Sequence, residues 1–236
     1  MIWRLVICFE ILAACGLAGN ISGTVKLRDS KLASVSSHKD YSDVVISLHL
    51  VDAPPLTIPA GQHAQMLQKN KTFTPHVLPV ETGTIVNFPN ADPIFHNAFS
   101  SFNGQVFDVG LYPPGTDRPV RFNRPGAVRV FCNIHPSMSA IILVLNTPYF
   151  TKTGRDGTFQ LKVPEGTYEL HVFHERATSE RLEALTQRIV VRDEKVRVPE
   201  IVISEAGYVP GPHKNKYGHD YPPDADTQTY LPGTRN

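Results

Sequence analysis

Two apolar, strand-like runs, Val128-Arg129-Val130-Phe131 and Ala140-Ile141-Ile142-Leu143-Val144-Leu145, are separated by Cys132-Asn133-Ile134-His135-Pro136-Ser137-Met138 alone. That spacing restricts the architecture sharply. It dictates strand, tight loop, strand, and it holds a thiol, an imidazole and a thioether on a loop too short to scatter them. Thiolate and thioether are soft donors, and with imidazole they suit copper in both oxidation states better than magnesium or calcium. A trigonal site of two His and one Cys, with a distant axial Met, needs one more histidine from elsewhere in the chain.

The segment Ile85-Val86-Asn87-Phe88-Pro89-Asn90-Ala91-Asp92-Pro93-Ile94-Phe95-His96-Asn97-Ala98-Phe99 supplies a candidate, again running from strand to loop to strand. Placing His96 on a different strand from the Cys loop scaffolds the site from two directions. The order Phe88-x-Asn90, His96-Asn97, then Cys132-x2-His135-x2-Met138 resembles the cupredoxin (plastocyanin, pseudoazurin and amicyanin) pattern over residues 62 to 146, with the His-to-Met spacing most similar to that of amicyanin. The resemblance implies a Greek-key sandwich in which His96, Cys132, His135 and Met138 bind one type 1 (blue) copper ion. It further implies that Asn97 ties the two ligand loops together and that a backbone N–H near Asn133 bonds the thiolate. By the same resemblance, His135 is a partly exposed port for electrons. Pro136, Pro93, Ile94 and Leu111-Tyr112-Pro113-Pro114 could then form an apolar docking rim.

Cysteine usage agrees with a metal role. Of the three cysteines, Cys8 and Cys15 fall in an amino-terminal stretch, Met1 to Ala18, with one early Arg4 and an apolar run from Leu5 broken by Glu10. That run is too short to span a bilayer and reads as a cleaved export signal, which places the mature chain in the periplasm or outside the cell. Leu12-Ala13-Ala14-Cys15 also resembles a bacterial lipobox, which would leave a lipid tether on Cys15. The mature body then keeps one thiol, Cys132, unable to form an internal disulfide. A buried free thiol packing as a small apolar group is the plainer alternative.

Val, Ile, Thr and Phe cluster in short runs broken by Pro and Gly, so the whole chain of 236 residues is expected to be all-β. The formal net charge of +1 offers no electrostatic reason to expect nucleic acid as a partner. Strand patterns at Gly19–Leu27 and Asp43–Leu50 precede a Pro-rich break at Ala53-Pro54-Pro55 and Pro59. Beyond Pro148, Asp156-Gly157-Thr158-Phe159 and Pro164-Glu165-Gly166-Thr167-Tyr168 resemble the carboxypeptidase regulatory-like (transthyretin-like) β-sandwich. The expected organisation is a signal peptide (1–18), a first part of that sandwich (20–54), a cupredoxin-like domain (60–146), the second part of the sandwich (147–204) and an extended Pro/Tyr-rich tail (205–236). The copper domain is thus inserted in the smaller sandwich or joined to it. A short helix is expected within Ala177–Gln187. His76 reads as structural, His171 and His174 as surface residues, and His213 and His219 as tail residues able to catch adventitious metal.

The expected function is single-electron transfer between redox partners, such as a cytochrome c or a dehydrogenase. The alternative is non-redox copper binding and delivery, or adhesion through the outer sandwich. An enzyme is not expected: no His-x-His pair of the multicopper-oxidase kind and no Ser/His/Asp set stands out. Zinc fits the donors less well, because it favours further Cys or His over Met.

Overall fold

The computed structural model describes residues 18–51, 61–101, 104–192, 195–209, 213–223 and 225–226. The expected export leader as far as residue 17, with Cys8 and Cys15, and the Pro-rich break at Ala53-Pro54-Pro55 and Pro59 lie outside the described residues. Strand β1 (Ala18–Arg28), helix α1 (Ala33–Ser36) and β2 (Val45–Leu50) come first. The middle of the chain carries β3 (His63–Gln65), β4 (Leu67–Lys69), β5 (Thr72–Thr74), β6 (Val77–Glu81) and β7 (Ile85–Asn87). It continues with β8 (Phe99–Ser100), β9 (Phe107–Asp108), β10 (Pro119–Arg121), β11 (Gly126–Phe131) and β12 (Ser139–Leu145). The last part holds β13 (Phe150–Lys152), β14 (Thr158–Pro164), β15 (Gly166–Phe173), α2 (Ser179–Glu183), β16 (Gln187–Val191), β17 (Lys195–Arg197) and β18 (Ile201–Ser204). The chain is all-β, with two short helices among the described residues; α1 lies between the two opening strands, where the sequence predicts no helix.

The opening strands pair with the closing ones. β1 lies beside β14 and also pairs β17 and β18, and a second sheet runs β13-β2-β15-β16. Their facing sides bury Ile21, Val25, Ile46, Leu48, Phe159, Tyr168 and Leu170 in one core. The turn into β14 shows why Asp156-Gly157 stands there. Gly157 has φ +80°, and a Cβ on it would sit 2.1 Å from the Val25 carbonyl oxygen, so only glycine fits. Asp156 Oδ1 accepts from both the N–H and the hydroxyl of Thr158, at 3.0 and 2.8 Å, closing the turn.

The middle strands form a β6-β12-β11-β8-β9 sheet, a β10-β7-β3 sheet and the β4-β5 hairpin. Between them lies a separate core of Met66, Phe73, Val86, Phe88, Phe122, Val128, Val130 and Ile142, which also includes Cys132 and Met138. Strand β12 explains its own composition. Ala140, Ile142 and Val144 face this core, while Leu143 and Leu145 join Val45 and Val77 in a third cluster against the other sandwich. A strand covered on both faces is apolar throughout rather than alternating. It is therefore a rigid base for the loop that precedes it.

The contact between the two units also has a polar part. His76 Nε2 bonds Glu175 at 2.9 Å, and the other ring nitrogen lies 3.2 Å from the Ser139 carbonyl. His174, expected on the surface, is instead buried. Its Nε2 lies 2.8 Å from Glu205, which also forms an ion pair with Arg176 and accepts from the Ser30 hydroxyl. These partners hold the carboxyls of both Glu175 and Glu205 below their ordinary pKa although burial opposes the charge.

Candidate metal centre

The ladder between β11 and β12 ends with Phe131 opposite Ser139, so Cys132 and Met138 face each other across the mouth of the loop. Their backbones bond there, Cys132 N–H to the Met138 carbonyl at 3.2 Å, and Met138 N–H reaches the His135 carbonyl at 3.1 Å. On the other side of β11, Phe131 pairs Phe99 in an antiparallel register. Continuing that register backwards from Phe99 brings residues 96–98 alongside 132–134. His96 is fixed there by reciprocal backbone bonds with Tyr112, at 2.9 and 3.2 Å. Three pieces of chain thus converge.

The side chains meet as the sequence suggests for three of the four expected ligands. Cys132 Sγ lies 3.9 Å from His96 Nδ1 and 3.8 Å from His135 Nδ1. One donor atom of each residue falls within 4.8 Å of the others, and all three residues are buried. The spacing suits a single ion bound at about 2.0–2.3 Å by nitrogen and sulfur. Met138 is buried in the same core as Cys132.

His96 is oriented by a residue that sequence reasoning missed. Its Nε2 lies 2.7 Å from Asp92 Oδ2, so the ring proton sits on that nitrogen and the Nδ1 lone pair turns towards the sulfur. Asp92 is itself held by the N–H groups of Asn70 and Lys71, at 2.5 and 2.8 Å. Those two residues have φ of 55° and 53° and form the tight turn of the β4-β5 hairpin, the left-handed pair such turns require. Burial opposes the charge on Asp92, yet the Lys71 N–H, His96 and the Asn70 N–H outweigh it and hold the carboxyl below its ordinary pKa. Burial lowers the pKa of His96 against the pull of Asp92, which favours the neutral, ligating form.

Burial also raises the pKa of the Cys132 thiol, opposed by the N–H groups of Ile134, Asn97 and His135. A thiolate there would be stabilised by these donors and by a cation. Asn97 thus faces the sulfur through its backbone. Its side chain donates instead to Asp108 Oδ1 and the Gly110 carbonyl, each at 2.8 Å, tying the His96 segment to the loop after β9. The Asn133 side chain turns away and accepts from the Lys216 N–H at 2.9 Å.

Two expectations about exposure need correction. His135 is 0% exposed, not a partly open port. Of the supposed apolar rim, Tyr112 and Ile94 are buried in the fold, whereas Leu111 is 53% exposed. Tyr112 is drawn inward because its hydroxyl donates to the Phe88 carbonyl at 2.8 Å and bonds the Gln68 amide.

Neither a protein-family model nor a curated protein matches this chain. Among solved structures it is similar to the copper-containing nitrite reductase of Thermus scotoductus SA-01, at 25% identity and TM-score 0.34 over 39% of this chain and 25% of that one. It is also similar to a purple cupredoxin from Nitrosopumilus maritimus, at 24% identity and TM-score 0.32 over 35% of this chain and 99% of that one. Amicyanin from Paracoccus versutus matches at 17% identity and TM-score 0.33, over 42% of this chain and 98% of that one. The chain therefore spans a quarter of the nitrite reductase and nearly all of the two small cupredoxins.

Proposed function

We propose that this chain is a type 1 copper protein of the cupredoxin kind, exported from the cytoplasm and carrying single electrons between redox partners. The observation that carries the reading is the buried triangle of Cys132, His96 and His135, with Met138 in the same core. Two imidazoles, one thiolate and a weak thioether are the donor set that copper accepts in both oxidation states, and the ion would supply reversible one-electron chemistry. The chain's own residues provide the rest. Asp92 holds His96 in one tautomer, three backbone N–H groups support the thiolate, and the doubly covered β12 keeps the loop from rearranging when charge changes. A cytochrome c or a dehydrogenase would fit as partner, and the leader allows either a free protein or one tethered through a lipid on Cys15.

The complete burial of His135 favours a second reading, copper storage or delivery without redox turnover, because a carrier ordinarily exchanges electrons through an accessible ligand edge. The optical spectrum of the Cu(II) form separates the two. An intense visible thiolate-to-copper band with reversible reduction supports the carrier. A colourless protein that retains Cu(I) and passes it slowly to a chelator supports delivery, and a protein that binds no copper refutes both.

A further inference from the structure

The face of the metal loop that a partner would approach is occupied by the chain itself. The Tyr221 hydroxyl donates to the Cys132 carbonyl at 2.7 Å, and the Lys216 N–H bonds the Asn133 side chain at 2.9 Å. Both the N–H and the hydroxyl of Ser137 donate to Asp226 Oδ1, at 3.2 and 2.9 Å. The His213 ring stacks on Phe131, centroids 4.0 Å apart, and packs edge-on against Tyr221. Outlying bonds run from Lys216 Nζ to Asp108 and from Lys71 Nζ to the Asp226 carbonyl, at 2.7 and 2.5 Å.

This segment is ordered by its own turn as well as by the body. Asn215 Oδ1 accepts from the N–H groups of Tyr217 and His219, and Gly218 takes φ +81° to close the loop. Its attachment is mostly polar. Apart from the Phe131 stack and the buried Ala225, it presents exposed residues such as Tyr217 to solvent. Hydrogen bonds of this kind can be replaced by water, so the segment can detach without unfolding the sandwich beneath it.

We propose that residues 213–223 and 225–226 are a built-in cover of the metal loop, which closes the Cys132–Met138 face to ligand exchange and to a macromolecular partner until the cover lifts. The inference rests on the copper reading for what lies beneath the cover, while the covering itself rests on the contacts alone.

The test compares the full chain with one ended after Val209, and with a full-length His213→Ala/Tyr221→Phe variant in case the shortened chain folds poorly. In metal-free protein, modification of Cys132 by a neutral aromatic disulfide is followed at peptide resolution, so other thiols do not count. Amide exchange of residues 139–145 reports whether the underlying sandwich has loosened. The expected result is Cys132 modification at least tenfold faster in both variants with exchange in 139–145 unchanged, and copper release to a chelator accelerated to a similar degree. Rates within twofold of the full chain in both variants, or acceleration only together with loosening of 139–145, would overturn the cover. Loss of the copper reading looks different: the protein takes up no copper, yet thiol protection still depends on the tail.

Discussion

Replacing Asp92 by Asn tests how the centre is held. The substitution keeps the shape of the side chain, which is 7% exposed, and removes its charge. The carboxylate receives three donors, the Asn70 and Lys71 N–H groups and His96 Nε2. An amide offers one oxygen and turns its NH2 towards at least one of those donors, so metal-free stability should fall by about 1–3 kcal/mol. Loss of the group that orients a ligating histidine typically costs ~10–100-fold in metal affinity, or about 1.4–2.7 kcal/mol. The lost negative charge favoured Cu(II) over Cu(I). With that loss falling on Cu(II) alone and each tenfold difference worth about 59 mV for one electron, the potential should rise by roughly 60–120 mV. Chelator competition for Cu(II) and for Cu(I), with voltammetry on the loaded protein, measures each quantity separately. Unchanged affinity for both ions and an unchanged potential, in a variant that folds, would refute the orienting role of Asp92.

Other expectations follow from the same structure. Glu205 is buried; burial opposes its charge, but His174, Ser30 and Arg176 pull its pKa from the ordinary 4.5 down to about 2. A depressed carboxyl stabilises the fold above pH 4.5, and that contribution, on the order of 3 kcal/mol, is lost as pH falls towards 2. Denaturant titrations between those pH values should show the loss in the native chain and a much smaller one in Glu205→Gln. Gly157→Ala should destabilise the outer sandwich by about 2 kcal/mol or more, since left-handed strain adds to the clash with Val25, and thermal melts will read it. Met138→Gln should keep copper but shift its potential, measured by voltammetry.

The sequence exposes the proposed centre well because three of its proposed donors are local. Cys132, His135 and Met138 share one loop between two apolar runs, and His96 follows a recognisable strand. Asp92 is hidden because its role depends on the Asn70-Lys71 turn, some twenty residues earlier, folding back over the His96 loop; an Asn-led pair between short β runs was the available signal. His174 reads as a surface residue because the partners that allow its burial, Glu205 and Ser30, come from segments far along the chain. The tail has no hydrophobic period, so nothing in its pattern discloses where it docks. The burial of His135 is equally hidden, since exposure depends on packing from the rest of the chain and not on the loop's own residues.

Metal content and the visible spectrum of copper-loaded protein, taken side by side for the native chain and Cys132→Ser, bear on the whole reading. One copper per chain with an intense visible band, and complete loss of that band in the serine variant, is the predicted result. A native chain that takes up no stoichiometric copper, or a visible spectrum that survives the loss of the sulfur, would contradict it.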